Sequence, residues 1–387
     1  MRFFDIVVIG GGASGLMCLN FLDKHKHKIA VIDKTQLGKK ILVTGNGRCN
    51  LTNKNILIDK YNTPETKNVL ENFDNVETLK FFKKIGIECF FDEEGRCYPY
   101  SETASDVRNA LTRNIDGIEC INGSVEKIEK SQRFKITLEE GDIIEASKVV
   151  IACGNKDIGK ILNPLNLKLE KKKNVLTGFV VNENFDKNLL GVRENVIVKA
   201  KVNGKEFCEK GQIQFKKDGI SGIVIFNLSA FVAKNGECPF EVMLQFLPDL
   251  KIEQLRTILK YRRQFSNLLI KDALIGLIKP NLAKYILNVS KIRNLESDIK
   301  YLKDLEIESI VKNLKDLRFV CEETYDDAQI LSGGIDLKNL NNLQSKQVDG
   351  LYFCGEATNV FGFCGGNNLQ WAWSSGYFVA KELNKNI

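Results

Sequence analysis

The residues with the clearest chemical use are three glycines. Gly10-x-Gly12-x-x-Gly15 lies between a short apolar run, Phe4–Ile9, and Leu16, Leu19, Phe21 and Leu22 at helical spacing; a second β-branched run, Ile29–Ile32, ends on Asp33. In such a turn Gly10 permits the tight bend, Gly12 lets backbone approach a pyrophosphate, and Gly15 lets helix pack on strand. Ala13 and Ser14 begin the helix, whose unpaired N–H groups and positive dipole end favour phosphate. Asp33 has the chemistry to accept from both hydroxyls of an adenosine ribose, and its charge repels a 2′-phosphate. The spacing predicts a strand–turn–helix–strand dinucleotide site and leaves open whether the dinucleotide is NAD or FAD.

Two further segments bear on that choice. Gly38–Asn53 follows the second strand directly, with three glycines and many small polar residues, which predicts an extended backbone laid along a ligand rather than a helix. Near the other end, Gly350–Cys354 reads as a strand ending at Gly355-Glu356, and Gly362–Gln370 leads into a last helix, Asn368–Leu383. Two distant stretches meeting at one ligand suit a long cofactor with a ribityl chain and an isoalloxazine ring, namely FAD.

Such a site needs a scaffold of parallel strands. Phe134–Leu138, Ile143–Ile144 and Val149–Ala152 are further strand-like runs, the last ending at Cys153-Gly154. From about Leu176, Phe179–Val181, Val196–Val202, Ile213–Phe215 and Ile223–Phe226 are short strand-like runs between glycine and asparagine turns, which predicts a small antiparallel sheet or barrel. From Leu250 to about Leu317 apolar residues fall at helical intervals, with Pro280 placed to start or break a helix. After Phe319 the α/β pattern returns. This order predicts a dinucleotide domain from residues 1–175 and 325–387, a barrel-like domain from 176–247 and 318–324, and a helical insert at 248–317.

Composition narrows the chemistry. The 387 residues include 56 Lys+Arg and 49 Asp+Glu, a net charge of +7 with bases and acids interleaved, so nucleic acid is not expected as a partner. No apolar run reaches the ~18–20 residues of a membrane span, and Phe3–Ile9 reads as a strand rather than a leader, so no membrane partner and a cytoplasmic location are expected. The only histidines, His25 and His27, sit in the charged run Asp23–Lys28, which argues against a His-based triad or a His-ligated metal; no metal is expected. Eleven cysteines without any Cys-x-x-Cys argue against a zinc ribbon and a Cys-x-x-Cys redox centre. The chemistry is expected from a bound cofactor acting on a small-molecule substrate.

The segment Lys39–Asn53 and the tail Gly365–Gly376 resemble those of the HI0933-like flavoproteins, a family whose members are also described as BaiN-like or aminoacetone-oxidase-type FAD-binding enzymes. Gly95-Arg96, Ala104–Val107, Gly219–Gly222 and Ser332–Gly334 extend the resemblance over essentially the whole chain. It implies an α/β fold: a glutathione-reductase-like, Rossmann-type FAD/NAD(P)-binding domain with an inserted β-barrel domain and a small helical insert. It further implies an FAD-dependent oxidoreductase in which hydride passes through flavin N5.

Carried over by position, Gly10, Gly12, Ala13, Ser14 and Gly15 would hold the pyrophosphate, Asp33 and Lys34 the adenosine side, and Val125 the adenine through its backbone. Lys40, Thr44, Gly45, Gly47, Arg48, Cys49 and Asn50 would pass close to the flavin. Ala152-Cys153-Gly154 and Gly355-Glu356 would form turns about it, with Glu356 accepting from a ribityl hydroxyl. Asn367, Asn368, Leu369 and Gln370 would start a helix whose N-terminus faces the flavin N1–C2=O edge, where its dipole stabilises reduced flavin.

No catalytic acid or base stands out; Arg48, Cys49, Arg96, Tyr98 and Tyr100 are the candidates. Cys49, Cys153, Cys354 and Cys364 are expected to be buried inert thiols, with Cys49 the one most open to exception, and Trp371 and Trp373 to be packing residues. Phe215 is followed by Lys216-Lys217 where the family often has Thr-His, which leaves a histidine role there without support, and Asn46 stands where a third glycine is common. With a single glycine fingerprint, NADH or NADPH would act only as a transient donor. A flavin-containing RNA-modifying or nucleic-acid-binding protein and a non-catalytic flavin-bound scaffold are the alternatives; substrate, electron acceptor and oligomeric state stay open.

Overall fold

Apolar runs buried on both faces form the centre of the larger of two units. In the computed structural model, which describes residues 2–183, 185–265 and 267–385, five strands pair in parallel in the spatial order Leu351–Phe353, Ile143–Ile151, Arg2–Ile9, Ile29–Asp33, Glu119–Asn122. Phe4, Ile6, Val7, Val8, Val31, Val149, Val150 and Ile151 are all buried. Continuous β-branched runs are what a sheet covered on both faces requires. Register aligns Ile9 with Ile32 and with Ile151, and Ile151 with Phe353, so the strands finish together at one edge.

The two runs expected at Ile143–Ile144 and Val149–Ala152 are one continuous strand. The antiparallel hairpin Val125–Lys130 and Phe134–Leu138 joins the sheet through it. Helices Ala13–Phe21 and Asn367–Lys385 pack closely: a Cβ on Gly376 would lie 2.4 Å from the Ser14 carbonyl oxygen, so only glycine allows the approach. A small second sheet has the order Thr52–Asn53, Arg96–Pro99, Cys89–Phe91. This unit comprises residues up to Lys173 and from Ile330 onward.

The other unit, Asn174–Gln329, holds a closed antiparallel barrel of six strands, ordered Phe179–Val181, Gly219–Ser221, Lys205–Phe215, Arg193–Val202, Phe240–Phe246, Leu317–Thr324. Val196, Val198 and Val202, and likewise Phe240, Val242, Leu244 and Phe246, are buried at alternate positions, the period-two pattern of a strand with one dry face. Helices Ile252–Phe265, Pro280–Val289 and Asp304–Lys315 fall between the last two barrel strands in sequence, with Pro280 in the first turn of the second. They belong to the same unit as the barrel.

Ile223–Phe226 departs from expectation: it opens the helix Ile223–Asn235. Gly222 at φ 111° ends the preceding strand, and Val224, Ile225, Leu228, Ala230 and Val232 are buried. A short apolar run packed nearly all round has no polar face, so its periodicity does not distinguish helix from strand. Among the described residues no helix is long and apolar enough to cross a membrane.

Candidate functional site

The carboxyl edge of the parallel sheet sets three turns side by side. Gly10 N–H donates to the Ile32 carbonyl (2.8 Å), Ala152 N–H to that of Ile9 (2.8 Å) and Cys354 N–H to that of Ile151 (3.1 Å). Gly10 has φ 101°, and a Cβ on it would lie 2.6 Å from the Cys153 backbone; one on Gly15 would lie 2.0 Å from the Gly10 carbonyl oxygen. Gly12 is different. A Cβ there meets nothing within 4 Å, and the adjoining helix, which starts at Ala13 and Ser14, has no side-chain cap on its N-terminus. Bare backbone beside an uncapped helix end is a place where a pyrophosphate fits.

Gly11, which the three-glycine pattern leaves out, is constrained as well. Its N–H donates to Asp33 Oδ2 (2.7 Å), and a Cβ would lie 2.2 Å from Leu37 Cδ2. Asp33 Oδ1 accepts from the Thr35 N–H (2.8 Å) and hydroxyl (3.0 Å), which holds the carboxylate at the strand end. Gly123 N–H donates to the Asp33 carbonyl (3.1 Å) and brings the turn before Val125 beside it.

The two distant stretches meet. Asn53 Nδ2 donates to the Gly365 carbonyl (2.9 Å) across 312 residues of sequence. The Tyr61 hydroxyl donates to the Asn367 carbonyl (2.9 Å), and Trp373 Nε1 to that of Leu51 (2.9 Å). The Asn50 amide fits between the Thr52 carbonyl, to which it donates (3.0 Å), and the Gly366 N–H, from which it accepts (3.1 Å).

Lys39–Gly47 corrects the expectation of an extended backbone. It winds into short 3₁₀ turns broken at Thr44–Asn46, where Gly45 (φ 56°) and Asn46 (φ 62°) are left-handed. The small residues reverse the chain rather than extend it, and asparagine tolerates this region where most residues do not. Gly47 follows at φ 84° in open space.

Several side chains proposed for the cofactor are committed to the protein itself. Gln370 is fully buried: it accepts from the Thr52 hydroxyl (2.6 Å) and donates to the Phe73 carbonyl (3.0 Å) and Ser374 Oγ (2.9 Å), so it braces the last helix. Asn368 brackets Gly362, accepting from its N–H (2.8 Å) and donating to its carbonyl (2.9 Å). Lys34 pairs with Asp157 (2.8 Å). The side chains of these three are partnered within the protein, which leaves Asn368 and Gln370 the place expected of them, in the first turn of the last helix. The Thr44 hydroxyl likewise donates to the Ile41 carbonyl (2.6 Å), and Leu369 packs on the core. Asn367 is the exception: its Oδ1 is buried with no partner, an unmet acceptor at the start of the last helix that suits a ligand donor.

Among the catalytic candidates, Arg96 is held by Asp92 and Glu94 (2.8 Å each). Arg48 pairs with Glu102 (3.1 Å) and lies 4.5 Å over the ring of buried Tyr98, whereas Tyr100 is exposed. Burial pushes the thiols of Cys153, Cys354 and Cys49 up to about 11, 12 and 12, so all three are protonated at neutral pH, Cys49 included. Trp371 and Trp373 are buried packing residues.

Lys40 Nζ lies 3.6 Å from Glu356 Oε2, and a Cβ on Gly154 would lie 3.4 Å from each. Burial pushes the Glu356 carboxyl above the ordinary carboxylate range, and Lys40 offsets this in part. Because the folded-state value is raised, folding favours the protonated acid; that stability is full below about pH 4 and is lost as pH rises through the folded-state value. Glu356→Gln, which does not ionise, is therefore expected to melt level with the parent at pH 4 and above it at pH 8 in cofactor-free protein. A parent that melts higher at pH 8 would mean that the Lys40 pair outweighs burial.

Comparison with known proteins adds to this geometry. Residues 4–382 match the family model described as the HI0933-like protein Rossmann domain. The chain is 31% identical to 3-dehydro-bile acid delta(4,6)-reductase of Clostridium scindens, over 97% of this chain and 98% of that protein. It is 26% identical to ribosomal RNA dihydrouridine synthase of Escherichia coli, over 99% and 98%, and 25% identical to that of Haemophilus influenzae, over 99% of each.

Proposed function

We propose, since the chain belongs to the HI0933-like family, that it is an FAD-dependent oxidoreductase which reduces a carbon–carbon double bond conjugated to a carbonyl in a small molecule, with NADH or NADPH as a transient donor. One observation supports this above the rest: the stretch around Asn50–Asn53 and the loop Gly365–Asn367 are bonded to each other, in the unit that carries the open turn at Gly12. That arrangement suits a cofactor long enough to use both.

Bound FAD supplies a ring that accepts and donates a hydride at N5. The chain supplies binding and orientation. The first N–H groups of the Ala13–Phe21 helix would hold pyrophosphate, and Asp33 would receive ribose hydroxyls and repel a 2′-phosphate. Glu356, flanked by Lys40, would accept from a ribityl hydroxyl, and the positive dipole end of the last helix would stabilise developing negative charge.

The substrate class follows from the chemistry in the relatives' names. A 3-dehydro compound with double bonds at positions 4 and 6 is a conjugated dienone, and dihydrouridine is a uracil ring that has lost the double bond conjugated to its carbonyl. Such a bond accepts hydride at the carbon remote from the carbonyl because the charge passes to oxygen.

Purified protein is expected to be yellow or to become so with FAD. Under anaerobic conditions, NADH or NADPH should bleach it, and a conjugated enone should restore the colour where an isolated alkene or plain ketone does not. A protein that binds no FAD, or whose reduced form no enone reoxidises, would sink the proposal. Similarity to the two ribosomal RNA enzymes over nearly the full chain favours RNA as a second substrate class. It requires RNA retention at low salt that falls steeply as salt rises.

A further inference from the structure

The net charge of +7 is not spread over the molecule. Residues 251–315 hold 14 Lys+Arg and 7 Asp+Glu, so they carry all of it, and the remaining 42 Lys+Arg and 42 Asp+Glu cancel. This stretch contains the helices Ile252–Phe265, Pro280–Val289 and Asp304–Lys315. From Gln254 to Lys271 it has no acidic residue. Part of the charge is committed within the insert: Arg256 pairs with Glu308 (2.7 Å), Lys271 with Glu296 (2.6 Å), and Arg262 donates to the carbonyls of Ala273 (2.7 Å) and Ile275 (2.8 Å). Lys284, Lys291 and Arg293 are exposed, and no acid among the described residues pairs with them.

The same insert leaves aromatic rings uncovered. Tyr261 and Phe265, one turn apart at the end of the first of these helices, are 62% and 63% exposed, and their rings lie 4.9 Å apart. Leu255 and Leu259 of that helix are fully buried, so the helix has its apolar face covered and the ring pair lies outside it. Arg263 donates to the Leu302 carbonyl (3.1 Å) and pairs with Asp304 (2.7 Å), which ties the last turn of the helix to the turn Ile299–Tyr301. There Tyr301 is 65% exposed, with Lys300 Nζ 5.1 Å from its ring centre.

We propose that this surface of the insert docks an unpaired stretch of RNA, with bases stacked on Tyr261, Phe265 and Tyr301 and phosphates against the uncommitted lysines and arginines. The inference rests on the reading of RNA as a second substrate class, and it names the part of the chain that holds the RNA. Every base has a flat π-face, so exposed rings hold a single strand without reading its sequence, and cations set among them neutralise its backbone. An acidic protein segment would use the charge and leave the rings idle; a duplex would hide the base faces. Only an unpaired strand uses both features.

Full-length protein carrying FAD is titrated into a fluorescein-labelled single-stranded RNA of about 12 nucleotides, and anisotropy is read at several concentrations of potassium chloride. Affinity should fall steeply from about 50 to about 200 mM salt, by a logarithmic slope of about 0.7 for each phosphate neutralised. Tyr261→Ala and Phe265→Ala should each weaken binding at least about fivefold at unchanged slope, and the two should bind the annealed duplex as the parent does. The triple variant Lys284→Gln, Lys291→Gln, Arg293→Gln should lower both affinity and slope. The equal charge change at Lys24, Lys80 and Lys83, outside the insert, should leave the slope as it is. These side chains are all exposed, so melts without RNA should match the parent. Ring variants that hold RNA as tightly as the parent would overturn the proposal. So would a control triple that loses as much as the insert triple, or ring-dependent capture by phosphatidylserine vesicles in place of RNA. RNA binding indifferent to all these changes would leave the RNA reading standing without this surface, and yellow protein that binds no RNA would remove both while the enone reduction stands.

Discussion

Gly12→Val is expected to fold and melt close to the parent and to come off the column colourless. The substitution puts a branched side chain where no protein atom lies within 4 Å, so the chain has nothing to collide with. Gly12 has φ −75° and ψ −165°, an extended conformation that valine adopts without strain. The fold loses only the difference between glycine and valine at a helix N-cap, about 1 kcal/mol. The same space is where backbone must stand bare for a pyrophosphate to reach the N–H groups of Ala13, Ser14 and Gly15. FAD affinity should therefore fall by at least about 100-fold, about 2.8 kcal/mol. Visible absorbance of the purified protein, an FAD titration and a melt without FAD separate the two effects. The contrast is Gly15→Val, whose Cβ would sit 2.0 Å from the Gly10 carbonyl oxygen: it should fail to fold rather than fold empty. A yellow Gly12→Val protein would move the dinucleotide elsewhere.

Gly366→Ala is expected to unfold at markedly lower urea than the parent and to lose flavin with it. Gly366 has φ 97°, and a Cβ would lie 2.4 Å from the Thr52 carbonyl, in the seam that joins the two ends of the chain. Left-handed strain costs about 1–3 kcal/mol, and forcing backbones apart adds about 1–3 more, so the total is about 2–6 kcal/mol. The Gly366 N–H would also be pushed off Asn50. Gly365→Ala is the control. Its φ is 105°, but the nearest atom to a Cβ is Asn53 Nδ2 at 3.6 Å, so it bears the backbone strain alone. Equal urea midpoints for the two variants would show that the Thr52 contact relaxes freely and the seam is not rigid.

The strand–turn–helix–strand unit was legible in the sequence because each part rests on short-range rules. Gly10 needs its left-handed φ within the turn itself, Gly15 is crowded by the Gly10 carbonyl five residues back, and Asp33 ends a strand whose β-branched run is continuous. Pro280 was legible as a helix start or break for the same reason, and the structure makes it a start. Ile223–Asn235 was not, since a helix apolar on most faces looks like strand wherever its first residues are β-branched. Lys39–Gly47 was read as extended because glycine and asparagine signal freedom of φ without saying which way the chain turns.

For the site, the sequence by itself determined the Gly10–Gly15 turn and the open helix end after it, and it singled out two stretches near opposite termini; the path of Lys39–Gly47 it did not determine. The tertiary structure decided which side chains remain available to a ligand. The side chains of Gln370 and Asn368 are bonded to Thr52, Phe73 and Gly362, so these residues can offer a ligand only their place at the helix start, while Asn367 keeps an unmet acceptor. A glycine's φ is set by its own turn, which local sequence encodes, although the backbone that crowds Gly10, Gly366 and Gly376 comes from the distant Cys153, Thr52 and Ser14. A polar side chain's role is set by which partner reaches it first, and for Gln370 that partner, Thr52, comes from 318 residues away.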